Sequence, residues 1–88
     1  MREVVFEWDD VNAEHIARHQ FLTDEVEEVF AGSHQIQRTR NERYLAWGKT
    51  LDGRMTLVVF ERPARRRIRV ITAREMSERE RRRFRRSR

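Results

Sequence analysis

The chain has 88 residues, 40% of them charged, with no cysteine and a net charge of +5. A length of this order holds one small domain with a single core, and the missing cysteines exclude both a disulfide framework and a thiolate zinc site. No apolar run approaches the roughly 18 residues of a membrane span, and the opening "MREVVFEWDD" lacks the basic-then-apolar order of a signal peptide, so a cytoplasmic protein without membrane association is expected.

"VVFEW", residues 4–8, is β-branched and aromatic and predicts a short first strand that stops at Asp9 and Asp10, either of which can cap the helix that follows. That helix is expected over about residues 10–19, with His15 and His19 on one face. A second helix is expected to start at Thr23 as N-cap, to carry Asp24 and Glu25 in its first turn, and to end near Gly32 with Val26, Val29 and Phe30 as its buried stripe. From Ser33 the period changes to two: "HQIQR", "RYLAWGK", "RMTLVVFE" and "RRIRVIT" read as four consecutive strands of an antiparallel meander. "TLDG" at 50–53 holds the Asp-Gly pair of a tight hairpin, and "RPAR" around Pro63 marks the next reversal. Ser77, followed three residues later by Glu80, forms a capping box that opens a last, arginine-rich helix. Only Met76 and Phe84 can dock it, so residues 77–88 are expected to sit loosely and to fray after Phe84. The expected fold is a single α+β domain over 1–88. Two helices from the N-terminal half pack on one face of a twisted antiparallel sheet, and a short basic helix is appended.

Charge divides the chain. Residues 1–31 hold 2 arginines against 9 acidic side chains, for −7, and residues 32–88 hold 18 basic against 6 acidic side chains, for +12. A basic half of that density suits phosphate binding, since each cation that displaces condensed counterions gains free energy regardless of sequence; a merely solubilising surface is the alternative. Strict alternation on the last strand puts Arg67, Arg69 and Ile71 on one face and Ile68, Val70 and Thr72 on the other, with Arg74 at the strand end. A guanidinium there can clamp a phosphate bidentately, although these arginines can instead pair with the acidic first half of the chain. Arg43, Tyr44, Trp47 and Lys49 interleave cations with aromatics, as a phosphate track with base stacking requires, although Trp47 can equally be core. His19, at the end of the first helix, is a candidate proton carrier. His15 and His19 at i, i+4 lack a third metal ligand, and neither a metal nor a cofactor is expected. Without a metal cage, an enzyme acting on RNA would use the substrate's own 2′-hydroxyl as nucleophile, helped by a base, an acid and a cation.

"FEWD" at 6–9, "HIARH" at 15–19, "RYLAWGKT" at 43–50, "GRMTLVVFE" at 53–61, "IRVITARE" at 68–75 and "ERRRF" at 80–84 occur in one order over nearly the whole chain. Together they resemble the BrnT family of type II toxins. The resemblance implies a RelE-like fold and a metal-independent endoribonuclease that blocks translation. It also implies a ribbon-helix-helix, BrnA-like antitoxin, through which alone the complex meets operator DNA. The family's Lys-His-Gly corresponds to Arg18, His19 and Gln20, its Ser-Ala-Arg to Thr72, Ala73 and Arg74, and its Glu-Arg to Glu80 and Arg81. His15 stands where an asparagine is expected and Phe84 where many relatives have tyrosine. The expected catalytic residues are His19, Arg69, Arg74 and Glu80, and the expected RNA-binding residues are Arg43, Tyr44, Lys49, Arg67 and Arg81. A non-catalytic BrnT-like module that binds an antitoxin or nucleic acid is the alternative.

Overall fold

In the computed structural model, which describes residues 4–87, the first strand β1 (Val5–Glu7) ends where Asp9 takes over as a cap. The Asp9 carboxylate accepts from the backbone N–H of Val11 and Asn12, at 2.9 and 3.1 Å, and the Asn12 side chain accepts from Asp9 N–H at 2.8 Å. This reciprocal box starts α1 (Asp10–Ala17). The helix stops two residues earlier than periodicity suggests, because Gln20 turns left-handed at φ 66° and the N–H groups of His19, Gln20 and Phe21 fold back onto Ile16 and Ala17 carbonyls. Gln20 thus adopts the conformation that the glycine of the resembled motif would supply, and Phe21 is delivered into the core, 2% exposed. The cap of α2 (Thr23–Ala31) is Leu22, not Thr23: Leu22 is still extended, and the Glu25 carboxylate reaches back to its N–H at 2.9 Å.

The chain then runs through β2 (His34–Arg38), β3 (Tyr44–Lys49), β4 (Met55–Glu61) and β5 (Arg67–Glu75) in one five-stranded sheet of order β1-β5-β4-β3-β2. Strands β2 to β5 form the expected antiparallel meander, but β1 pairs parallel with β5, so the sheet is mixed. The two helices cross from β1 at one edge to β2 at the other, so the meander returns its last strand alongside the first. The expected all-antiparallel sheet is corrected accordingly.

One sheet face carries the row Ala46, Val58 and Ala73, and it packs with Ile16, Phe21, Val26 and Val29 of the α1–α2 layer. Gly48 lets α2 approach: a Cβ there would stand 2.9 Å from Val29 Cγ1. The register on the opposite face is set by a bulge. Val59 pairs with Thr72 but Phe60 pairs with Val70, leaving Ile71 as the extra residue of β5. The bulge reverses the alternation beyond it. Ala73 rather than Thr72 enters the core, and Arg74 joins the row Gln35, Trp47 and Leu57 on the outer face with Arg67 and Arg69.

The expected capping box is present: Ser77 Oγ accepts from Glu80 N–H at 3.2 Å, and Glu80 accepts from Ser77 N–H at 2.8 Å. It opens α3 (Glu78–Arg86), which continues past Phe84 and is pinned by two buried side chains, Met76 and Phe84. The helix lies over the outer face, where Phe84 shares a shallow pocket of about 100 Å³ with Gln35, Gln37 and Trp47. Arg88, the last residue of the expected tail, lies outside the described residues.

Candidate active site

The bulge in β5 and the cap of α3 bring two distant sequence signals together. Arg74 Nη1 and Nη2 donate to the two carboxylate oxygens of Glu80 at 2.8 and 2.9 Å, a planar fork-to-fork pair. Nη1 also donates to the Glu75 carbonyl at 3.1 Å, while Nε–H has no protein acceptor among the described residues. The hydrogen bond from Arg74, followed by the cap contact to the Ser77 backbone, holds the Glu80 carboxyl at about 2, well below its ordinary 4.5. A carboxylate held so low is a poor proton acceptor near neutrality. Its geometry fits a residue that aims the guanidinium. Arg81 Nη1 donates to the Met76 carbonyl at 2.9 Å and so braces the turn between β5 and α3.

On the other side of the same sheet end, Arg54 gathers the segment after α1. Its guanidinium lies 3.8 Å from the Phe21 ring centroid, donates to the Gln20 carbonyl at 2.9 Å and the His19 carbonyl at 3.5 Å, and pairs with Glu75 at 3.0 Å. The His19 backbone is thereby tied to the residue next to Arg74. The imidazole is exposed, and no hydrogen bond or ion pair joins it to Arg69, Arg74 or Glu80 among the described residues.

The remaining expected site residues are dispersed. Arg69 pairs with Asp9 at 3.0 Å, about 16 Å along β5 from Arg74. The contact to the Asn12 backbone, more than that arginine, lowers the Asp9 carboxyl. Arg67 pairs with Glu7 at 3.3 Å and Arg43 with Glu61 at 3.4 Å. For Arg67 and Arg69, pairing with the acidic first half is therefore what the structure shows. Tyr44 turns toward the helix-side core and stacks on Phe60 at 5.4 Å, while Lys49 is exposed at the end of β3. Trp47 is half-buried beneath α3, its indole N–H donating to Gln37 at 3.1 Å. No group of three or more His, Asp or Glu side chains arranged to hold a metal occurs among the described residues.

Two residues that organise this region carry no sequence signal. Arg54 simply follows an Asp-Gly turn, and its partners lie more than 20 positions away. Asn12, 2% exposed, donates to the carbonyls of Glu7 and Val70 at 2.8 and 2.9 Å, stitching β1, α1 and β5.

The family model for the ribonuclease toxin BrnT of type II toxin–antitoxin systems matches residues 8–80. The chain belongs to the BrnT family. A matching solved structure is the 1.1 Å crystal structure of the Brucella abortus ribonuclease toxin BrnT, with a TM-score of 0.66 at 20% identity over 89% of this chain and 100% of that one. That likeness carries the fold: α+β, with three helices and a five-stranded mixed sheet. No curated protein matches the sequence. The matched segment spans both Arg74 and Glu80, so the fork pair lies within the stretch that the chain shares with its family.

Proposed function

We propose that this chain is the toxin of a type II toxin–antitoxin pair, a RelE-like endoribonuclease that cleaves RNA in the cytoplasm without a metal ion and thereby stops translation. The observation that carries the reading is the Arg74–Glu80 fork at the end of β5, within the family match. Arg74 is preorganised, half exposed, and keeps one N–H edge open. Such a cation stabilises charge on a phosphorane without moving at the moment of reaction. In the step it assists, the substrate's 2′-oxygen bonds to phosphorus, its proton passes to a base, and the bond to the 5′-oxygen breaks as that oxygen gains a proton.

His19 is the proton carrier in this reading, and Glu80 positions Arg74 rather than relaying protons. Arg69, Arg67 and Arg43 meet RNA only by exchanging a carboxylate for a phosphate, whereas Lys49 and Arg81 flank the strand without that exchange. The partner is an antitoxin of ribbon-helix-helix, BrnA-like type that covers the basic outer face and takes the complex to operator DNA.

The test is purified protein with a defined RNA in excess chelator. Cleavage persists and leaves 2′,3′-cyclic phosphate ends, and induced expression arrests growth with decay of cellular RNA. Cleavage lost with chelator and restored by a divalent ion overturns the metal-free chemistry. Binding with no cleavage under any condition makes the chain a non-catalytic module.

A further inference from the structure

Most arginines on the outer sheet face already have a carboxylate: Arg43 has Glu61, Arg67 has Glu7, Arg69 has Asp9 and Arg74 has Glu80. Five further arginines at the opposite end of the sheet from Arg74 do not. Arg38 at the end of β2, Arg40 in the β2–β3 turn, and Arg62, Arg65 and Arg66 in the β4–β5 turn are all exposed and have no ion pair among the described residues. Register brings Arg38 and Arg62 together, because Arg38 pairs with Tyr44 and Tyr44 with Phe60, two residues before Arg62; Arg40, Arg65 and Arg66 belong to the turns at the same end of the sheet.

The Arg38 and Arg62 guanidiniums approach one ring, 5.9 and 5.8 Å from the Tyr44 centroid, so they are no more than about 12 Å apart. Two cations without a carboxylate beside one ring concentrate positive potential there, and a phosphate binding near them is attracted to both. Among the described residues the facing acids are few: Glu61 is occupied by Arg43, and Glu42 is unpaired. Among the described residues these five cations thus face one free carboxylate. Backbone strain is concentrated in the same two turns, where Asn41, Glu42 and Arg66 all have φ near +60°. An arginine at such an angle is disfavoured relative to glycine, which marks Arg66 as a residue whose side chain is present at some expense to stability.

We infer that this arginine pole around Tyr44 is a second nucleic-acid site, an exosite for the phosphate backbone of single-stranded RNA about 17 Å from the Arg74 end of the sheet. It grips the strand away from the chemistry, so that affinity and cleavage rate are set at different ends of the sheet. The identity of the ligand as substrate rests on the ribonuclease reading above; the anion site itself does not.

The experiment compares the full-length chain with the combined variant Arg62→Gln, Arg65→Gln, Arg66→Gly. The first measurement is polarisation binding of a labelled 2′-O-methyl RNA 12-mer, which has no free 2′-hydroxyl to attack, at several salt concentrations. The second is the single-turnover cleavage rate of ordinary RNA at saturating protein. The thermal midpoint should stay equal to or above the parent's, because Arg66→Gly relieves the left-handed strain. Affinity should fall at least tenfold, and the slope of log affinity against log salt should drop by about 2, since each single-strand phosphate contact contributes about 0.7. The saturated cleavage rate should stay within twofold.

Affinity altered less than twofold with an unchanged salt slope overturns the exosite, as does equal binding of a duplex DNA 12-mer or selective loss of an acidic protein partner with RNA binding intact. A parent that binds the 12-mer in this manner yet cleaves no RNA refutes the ribonuclease reading and leaves the exosite standing.

Discussion

Replacing Glu80 with Gln tests whether the fork to Arg74 is an energetic element of the fold. Glutamine keeps one acceptor oxygen for Ser77 N–H but carries no negative charge and no second acceptor, so the substitution removes the ionic attraction together with one hydrogen bond of the fork. A carboxyl held at about 2 rather than 4.5 corresponds, at about 1.4 kcal/mol per pH unit, to an upper bound of about 3–4 kcal/mol. The Arg74 side chain is 43% exposed, and water screening reduces that figure to about 1–2 kcal/mol. For a chain of this size the loss lowers the thermal midpoint by about 5–15 °C at neutral pH. The pH dependence follows from the depressed folded-state value. The contribution is complete above about 4.5 and declines as pH falls toward about 2, with less than about half remaining at pH 3. Urea melts of parent and variant between pH 7 and pH 3 should therefore converge on the acid side. A stability gap that is absent at pH 7, or that stays constant down to pH 3, means that the ionised fork does not stabilise the fold.

Asn12→Ala removes the donor to Val70 and Glu7 carbonyls and the acceptor for Asp9 N–H, so it should destabilise by about 3 kcal/mol in urea melts, at about 1 kcal/mol per hydrogen bond. Gly48→Ala inserts a methyl 2.9 Å from Val29 Cγ1 and should cost about 1–3 kcal/mol by the same assay. Gln20→Gly frees a left-handed residue and should raise stability by up to about 1 kcal/mol, with circular dichroism unchanged.

The legible parts of this fold are local. The strand periods, the Ser77–Glu80 box and the Asp52–Gly53 turn, with Gly53 at φ 91°, depend on residues within a few positions of one another. The parallel pairing of β1 with β5 joins residues about 60 positions apart, and no pattern in "VVFEW" specifies its neighbour. The bulge at Ile71 is equally silent in "RRIRVIT", yet it decides the face of Arg74. At the candidate site, Arg74 and Glu80 are six residues apart and each stood out in the sequence, at a strand end and in a capping box, but their pairing depends on the bulge that sets the side of Arg74. The carboxylates opposite Arg67, Arg69 and Arg43 come from β1, the α1 cap and β4, and are visible only once the sheet is assembled. The five arginines without a carboxylate at the Tyr44 end of the sheet emerge by the same subtraction.

Whether Arg74 acts on the reacting phosphate is decided by single-turnover cleavage at saturating protein, measured beside binding isotherms for Arg74→Ala and Arg86→Ala. Arg74→Ala should slow the saturated rate by about 10²-fold or more, the scale of removing one preorganised charge stabiliser, with RNA affinity nearly unchanged. Arg86, exposed at the end of α3, should affect affinity slightly, the salt slope by no more than about one unit, and the rate not at all. Two substitutions that lower affinity alike and leave the saturated rate untouched would contradict that role of Arg74 and leave both arginines as RNA contacts only.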